Sequence, residues 1–147
     1  MNIVKADREH IAEVSRLFDL YRQFYECEPD LKLATRFISE RIERQESDIF
    51  VATKGDKASG FVQLYSSFCS VDAIKIYIRY DLCVDADSRG SGLGERLMNK
   101  ATEWARSNGA ARLDLLTAHD NVAGQHLYEK LGYKKVNEGF YAYSLAI

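Results

Sequence analysis

Between Ile74 and Ala105 the hydrophobic pattern changes period once, and the change falls on three glycines. Ile74, Ile76, Ile78, Tyr80, Leu82 and Val84 alternate strictly, which predicts a strand with these residues on one face. Leu93, Leu97, Met98, Ala101, Trp104 and Ala105 recur at helical steps, and Asn108-Gly109 closes that helix. The link reads DADSRGSGLG, with Gly90, Gly92 and Gly94 separated by Ser91 and Leu93. Glycine loses more backbone entropy on folding than any other residue, so three at one junction need a reason.

Two nucleotide motifs fail on the residues themselves. A dinucleotide fingerprint G-x-G-x-x-G requires a third glycine where the chain has Glu95, counted from Gly90, or Leu97, counted from Gly92. The phosphate loop G-x-x-x-x-G-K-[ST] is also absent. A more general property remains. The first turn of a helix carries N–H groups without intrahelical partners and the positive end of the dipole. Glycines allow an anion close to that backbone, and Arg89 adds a fixed positive charge, so the loop suits a phosphate or pyrophosphate. A flexible strand-to-helix connection with an incidental arginine is equally compatible with the loop alone.

The rest of the chain supplies the layers around this junction. Asp7 is a helix N-cap before Ile11, Val14, Leu17, Phe18, Tyr21, Phe24 and Tyr25, an amphipathic helix closed by ECEPD. A second helix puts Leu31, Ala34, Phe37, Ile38 and Ile42 on one face. DIFVATKG and ASGFVQLYSSF read as a hairpin turned at KGDKASG. After the glycine helix come a strand in ARLDLLTAHD, ending at Ala118, and a short helix in NVAGQHLYEKLG. A final pair of strands is expected around Asn137 to Gly139. The order β-α-α-β-β-β-α-β-α-β-β predicts one mixed α/β domain over 1–147, mostly antiparallel, with strand–helix alternation in its second half.

Composition excludes several classes. A net charge of -2 with no basic stripe argues against nucleic acid as a partner. Cys27, Cys69 and Cys83 are an odd set without C-x-x-C spacing, so neither a disulfide framework nor a metal site is expected. There is no signal-peptide pattern and no apolar run long enough for a bilayer, so no membrane association and a cytoplasmic location are expected.

Arg89-Gly90-Ser91-Gly92-Leu93-Gly94, preceded by DLCVDADS and followed by NVAGQHLYEKLGY, resembles the GNAT superfamily of N-acetyltransferases. That family's cofactor loop, [Q/R]-x-x-G-x-[G/A], is matched by Arg89, Gly92 and Gly94. Its later stretch N-x-x-A-x-x-L-Y-E-K-x-G-F is matched from Asn121 through Leu127-Tyr128-Glu129-Lys130 to Tyr133, with Gly124 at the alanine. The resemblance implies the GNAT fold and a V-shaped opening between two splayed parallel strands, where acetyl-CoA lies. It also implies that the backbone of Leu82, Cys83 and Val84 pairs with the acetyl and pantetheine part. N–H groups across Arg89, Gly90, Ser91, Gly92, Leu93, Gly94 and Glu95 would hold the pyrophosphate, and Asn121 would touch the pantetheine arm.

Tyr128 matches the family's general acid, which protonates the departing thiolate; a tyrosine ring packed on the sheet is the structural alternative. Asp81 stands where similar members carry an acid that takes the amine proton, directly or through water, and a carboxylate that merely accepts hydrogen bonds is its alternative. His119 reads as a surface or packing histidine rather than a base. Cys83 has no neighbouring base in sequence, which favours direct transfer over an acyl-cysteine.

The acceptor is expected to be a primary amine: a small molecule, a polyamine-like compound or a protein lysine. Tyr25, Glu26 and Tyr80, with Tyr21, Glu28, Asp30, Tyr65 and Tyr141 as neighbours, are candidate acceptor contacts, since an acidic and aromatic cluster suits a cationic amine; an ordinary solvated helix-to-helix loop is the alternative reading of YECEPD. The chain is loosely similar to fungal histone- and polyamine-acetylating members and to diamine acetyltransferases. Those diamine enzymes place a second acid just before the strand aspartate, where this chain has Tyr80. A non-catalytic acetyl-CoA sensor or an interaction module on the same fold is the alternative to an enzyme. The closing FYAYSLAI, apolar on both faces, suits a buried strand, either within the chain's own sheet or at the contact of a homodimer, the expected assembly.

Overall fold

The computed structural model describes residues 1–147, which divide into two compact units, 1–116 and 117–147. In the first unit the chain runs β1 (Asn2–Lys5), α1 (Ile11–Phe24), α2 (Leu31–Glu43), β2 (Asp48–Lys54), β3 (Lys57–Cys69), β4 (Ile74–Val84), α3 (Leu93–Ser107) and β5 (Arg112–Leu115). The strands form one sheet in the order β1-β2-β3-β4-β5, antiparallel up to β4 and parallel between β4 and β5. The β2–β3 hairpin turns tightly at Gly55-Asp56, with Gly55 in the left-handed region at φ 63°.

Each face of the sheet is covered by most of the stripe that its helix pattern predicts, but Phe24 at the end of α1 and Leu31 at the start of α2, expected on those stripes, are exposed. Val14, Leu17 and Phe18 of α1 and Ala34 and Ile38 of α2 pack with Ile49, Val51, Phe61 and Cys83 in one buried layer. Leu93, Leu97, Met98, Ala101 and Ala105 of α3 are buried too, and Trp104 meets Phe50 edge-on at 5.5 Å. Burial of one such side chain contributes roughly 1.5–3 kcal/mol. The α1–α2 connection is tied down by buried Asp19, whose carboxylate accepts from the Asp30 N–H at 2.9 Å and from Gln23 Nε2 at 3.2 Å.

Gly60 is where α3 and β4 approach β3 most closely. A Cβ there would lie 2.7 Å from the Cys83 carbonyl oxygen and 3.2 Å from a Leu97 methyl. Backbone cannot yield as a side-chain tip can, so Gly60→Ala is expected to destabilise by about 1–3 kcal/mol, read as a lower denaturant midpoint. An unchanged midpoint would mean that β3 and β4 separate freely here.

Strict alternation in β4 predicted one continuous face, and the structure corrects this. Leu64 pairs with Arg79 but Gln63 pairs with Asp81, so Tyr80 is the extra residue of a β-bulge. Paired residues of an antiparallel ladder share a face, and one inserted residue moves everything beyond it to the other side. Leu82 and Val84 therefore leave the face of Ile76 and Ile78. Asp81 and Cys83 take their place, opposite Gln63 and Phe61, and Tyr80 is left 65% exposed. Strand β5 is also shorter than expected, ending at Leu115 rather than Ala118.

The second unit contains α4 (Val122–Lys130). The mixed α/β class and the first nine elements of the expected order stand, but the last two strands do not form. The expected turn is present, with Asn137 at φ 64° and the Phe140 N–H donating to the Asn137 carbonyl at 3.1 Å. Residues 134–147 otherwise carry no strand, and Phe140, Tyr141, Tyr143 and Leu145 are exposed. Alternating side chains define only which residues would share a face. A strand also needs a neighbour to close its ladder, and a two-stranded hairpin alone is marginal in water.

Candidate active site

The β4–β5 ladder starts at Ile76 opposite Arg112 and ends at Arg79 opposite Leu115. Strand β4 runs on to Val84 with β3 along one side only, Val84 pairing with Gly60. From the bulge onward, the backbone of Tyr80–Val84 thus presents an edge that β5 does not cover, and such an edge can accept an extended ligand as an added strand. Leu82, Cys83 and Val84, the residues for which the family resemblance implies an acetyl and pantetheine contact, lie along it.

A short 3-10 turn at Ala86–Ser88 leads from β4 into the glycines. Gly90 and Gly92 take φ 77° and 81°, which β-carbon-bearing residues adopt only with strain, and no atom lies within 4 Å of where a Cβ would stand. Gly92 is the N-cap of α3, and Arg96 N to Gly92 O, 3.2 Å, is its first intrahelical bond. The amides of Leu93, Gly94 and Glu95 precede that bond, at the positive end of the dipole. Ser91 Oγ donates to the Ser88 carbonyl and braces the loop. Arg89 is exposed and folds back so that its Nε donates to the Val84 carbonyl at 3.3 Å, joining the loop to the end of the open edge. Open space, left-handed glycines and a nearby guanidinium fit a pyrophosphate.

Asp81 is 4% exposed beneath α1. Gln63 Nε2 donates to its Oδ2 at 2.6 Å, and the Ser47 hydroxyl donates to Gln63 Oε1 at 2.7 Å. Burial pushes the Asp81 carboxyl above the usual aspartate range; the Gln63 hydrogen bond, the Arg79 charge and the Tyr21 hydroxyl oppose that shift without cancelling it. A carboxylate so placed is a better proton acceptor than one in water. Burial, with Asp81 adding to it, also raises Tyr21, and raises Tyr65 to about 12, so both phenols stay neutral at any working pH.

Four tyrosines surround this carboxylate's end of the sheet. Tyr21 meets Tyr25 edge-on at 5.0 Å, Tyr65 meets Tyr80 at 5.8 Å, and the Tyr21 hydroxyl donates to the Tyr80 carbonyl at 3.4 Å. The candidate contacts Tyr25 and Tyr80 thus belong to two separate ring pairs, linked by the hydrogen bond from Tyr21 to the Tyr80 backbone. Glu26 stands exposed in the turn after α1, at φ 66°. Tyr141 is 90% exposed on the C-terminal stretch.

Cys83 is buried, its Sγ 3.7 Å from the Leu17 carbonyl, and burial pushes its thiol up to about 12. A thiol that holds its proton is a poor nucleophile. Cys83→Ala is therefore expected to retain activity within about tenfold, with no acetyl adduct on the parent protein by intact-mass spectrometry after incubation with acetyl-CoA alone. An adduct lost in the variant would overturn direct transfer.

In the second unit Asn121 is the N-cap of α4. Its Oδ1 accepts from the Gly124 N–H at 3.1 Å, and its Nδ2 donates to Thr117 Oγ1 at 3.0 Å. Glycine at 124 suits this arrangement, since a Cβ there would lie 2.5 Å from Asn121 Nδ2. Tyr128 is 6% exposed, with its ring 6.0 Å from that of Tyr133. His119 is exposed, and its carbonyl accepts from Gln125 Nε2 at 2.9 Å.

Sequence reading missed Gln63, Ser47 and the bulge. An amide inside the apolar run FVQLY was the available signal, because a polar side chain at a core position needs a buried partner. No group of His, Cys, Asp and Glu side chains is arranged to hold a metal ion. No helix is long and apolar enough to cross a membrane.

The parallel β4–β5 pairing ends at Arg79 and Leu115, and a glycine-led helix follows the end of β4, an arrangement that fits an acyltransferase. The chain belongs to the acetyltransferase (GNAT) family, whose pattern matches residues 14–133, and is an acetyltransferase enzyme. It is 40% identical over 147 residues to the uncharacterized N-acetyltransferase YhfO of Bacillus subtilis, covering 100% of this chain and 98% of that one. A crystal structure of a probable acetyltransferase superposes with a TM-score of 0.90 at 33% identity, over 100% of this chain and 98% of that one. A putative acetyl transferase from Pyrococcus furiosus matches at a TM-score of 0.75 and 29% identity, over 99% of each chain.

Proposed function

We propose that the chain transfers the acetyl group of acetyl-CoA directly to a primary amine, as one N-acetyltransferase domain over 1–147. The observation that carries this reading is the five-residue edge of β4 beyond Arg79, opening at its end into left-handed glycines and the first turn of α3. Acetyl-CoA, used by the family generally, supplies the activated acyl group. The backbone of Leu82, Cys83 and Val84 binds its extended arm, and the amides from Arg89 to Glu95 bind its pyrophosphate. Asn121 is the residue proposed to touch the pantetheine arm. Asp81 accepts the proton of the attacking amine, the new N–C bond replaces the C–S bond, and Tyr128 gives its proton to the departing sulfur.

The two tyrosine pairs around Asp81 support a small cationic amine as acceptor, held by cation–π contact until it loses its proton. Tyr80 in place of a second acid favours a monoamine over a polyamine. A homodimer is proposed from the exposed apolar stretch Phe140–Ile147, since contiguous apolar surface of this kind marks contact sites. Light scattering giving a monomer mass would end that proposal.

The deciding experiment is a thiol-release assay with acetyl-CoA over a panel of small amines, polyamines and lysine peptides. Saturable turnover with small amines is expected. Binding of acetyl-CoA without CoA release under any acceptor would point to a sensor, and no binding at all would overturn the reading.

A further inference from the structure

Gln63 is 0% exposed, and its amide joins a half-buried hydroxyl on one side to a buried carboxylate on the other. The two ends of an amide have nearly the same shape, so its partners decide which way it faces. A carboxylate only accepts, so Nε2 must face Asp81. That leaves Oε1 toward Ser47, whose hydroxyl can donate as well as accept. The chain of hydrogen bonds thus has one direction while Asp81 is charged.

The bulge is what brings the pair together. Counting back from Leu64 opposite Arg79, an unbroken ladder would place Gln63 opposite Tyr80. The inserted residue substitutes Asp81 and turns it onto Gln63's face. Ser47 arrives from the connection between α2 and β2, so a third element fixes the amide.

We propose that Gln63, oriented by Ser47, is a positioning residue that holds the Asp81 carboxylate in its charged form and in one orientation toward the acceptor. This rests on the reading of Asp81 as the proton acceptor. The other titratable or charged groups that interact electrostatically with Asp81 are Tyr21 from α1, Tyr65 from β3, and Arg79 and Cys83 from β4. Arg79 is the one cation among them, and the Gln63 hydrogen bond is the strongest of the interactions that oppose the effect of burial. Without the amide donor, burial acts with less opposition and Asp81 takes up its proton at higher pH.

The test uses Gln63→Met, which keeps length without a donor, and Ser47→Ala, which leaves Gln63 in place with its amide free to turn. The Asp81 carboxyl carbon is followed by NMR in protein labelled with carbon-13 aspartate. The pH dependence of kcat/KM is measured in parallel with the best acceptor of the amine panel. Gln63→Met is expected to move both the Asp81 titration and the acid limb of the profile upward by about one to two pH units, and to lower the alkaline plateau as the carboxylate loses its fixed orientation. Ser47→Ala should move both in the same direction by less, and Ser47→Thr should restore them.

An unshifted Asp81 titration in Ser47→Ala and in folded Gln63→Met overturns the positioning role. Should Gln63→Met fail to fold, Ser47→Ala against Ser47→Thr decides alone. A titration that shifts while the acid limb stays put overturns instead the reading of Asp81 as base. Asp81→Asn retaining full activity has the same meaning.

Discussion

Asp81→Asn is expected to lower kcat/KM by roughly 10²- to 10⁴-fold while leaving the protein at least as stable as the parent at pH 8. The two halves follow from the same burial. Asparagine matches the neutral acid in shape and still offers an oxygen to Gln63 Nε2, so the polar chain from Ser47 can persist. What it lacks is a lone pair able to take the amine's proton. On stability, the folded carboxyl titrates above its unfolded value because burial outweighs the opposing hydrogen bonds and the Arg79 charge. The stabilisation from such a group is fully present below the unfolded value and is lost as pH rises through the folded one. Asparagine removes that loss. The variant's advantage in melting temperature should appear above the raised Asp81 value and close as the pH falls toward about 4. Thermal melts at several pH values, beside initial rates, check both parts. Loss of activity together with loss of stability at pH 8 would place Asp81 in the fold rather than in the chemistry.

How much of this site could be read in advance depends on whether the causes were local. The left-handed conformations of Gly90 and Gly92 were legible, because only glycine takes them freely and the need arises within a few residues. The buried stripes of α1 and α3 were legible for a similar reason, since helical period reports one face directly. The Gln63–Asp81 pair was not. These residues are 18 apart, and their meeting depends on one inserted residue in a register that only the assembled sheet defines. The same bulge moved Leu82 and Val84 off the face that alternation assigned them. The C-terminal stretch failed for a related reason. Tyr141, Tyr143 and Leu145 alternate as a strand should, but no ladder pairs them. For β5, the apolar run through Leu115-Leu116 read as a longer strand, yet pairing ends at Leu115 and Leu116 is 90% exposed. That early stop is what leaves the β4 edge open, so the feature on which the proposed function rests was among those that alternation alone could not locate.

Tyr128→Phe is expected to lower kcat by about 10²-fold or more with acetyl-CoA. The change deletes one hydroxyl and keeps the ring, so the packing of Tyr128 in its 6%-exposed place beside Tyr133 is preserved. Loss of activity in a folded variant is therefore a statement about the proton. In water a thiol near 8.5 and a phenol near 10 differ by about 1.5 units, roughly 2 kcal/mol against transfer, so a phenol is an acid of suitable strength for a departing thiolate. This argument has a consequence that a packing role lacks. A leaving group that needs no proton should make the hydroxyl dispensable. With an acetyl thioester of a more acidic aromatic thiol, tested at saturating acceptor, the deficit of Tyr128→Phe should shrink to less than about tenfold. An equal deficit with both donors would make the hydroxyl a binding or packing group. No deficit with either would remove Tyr128 from the reaction and leave the departing sulfur to take its proton from water.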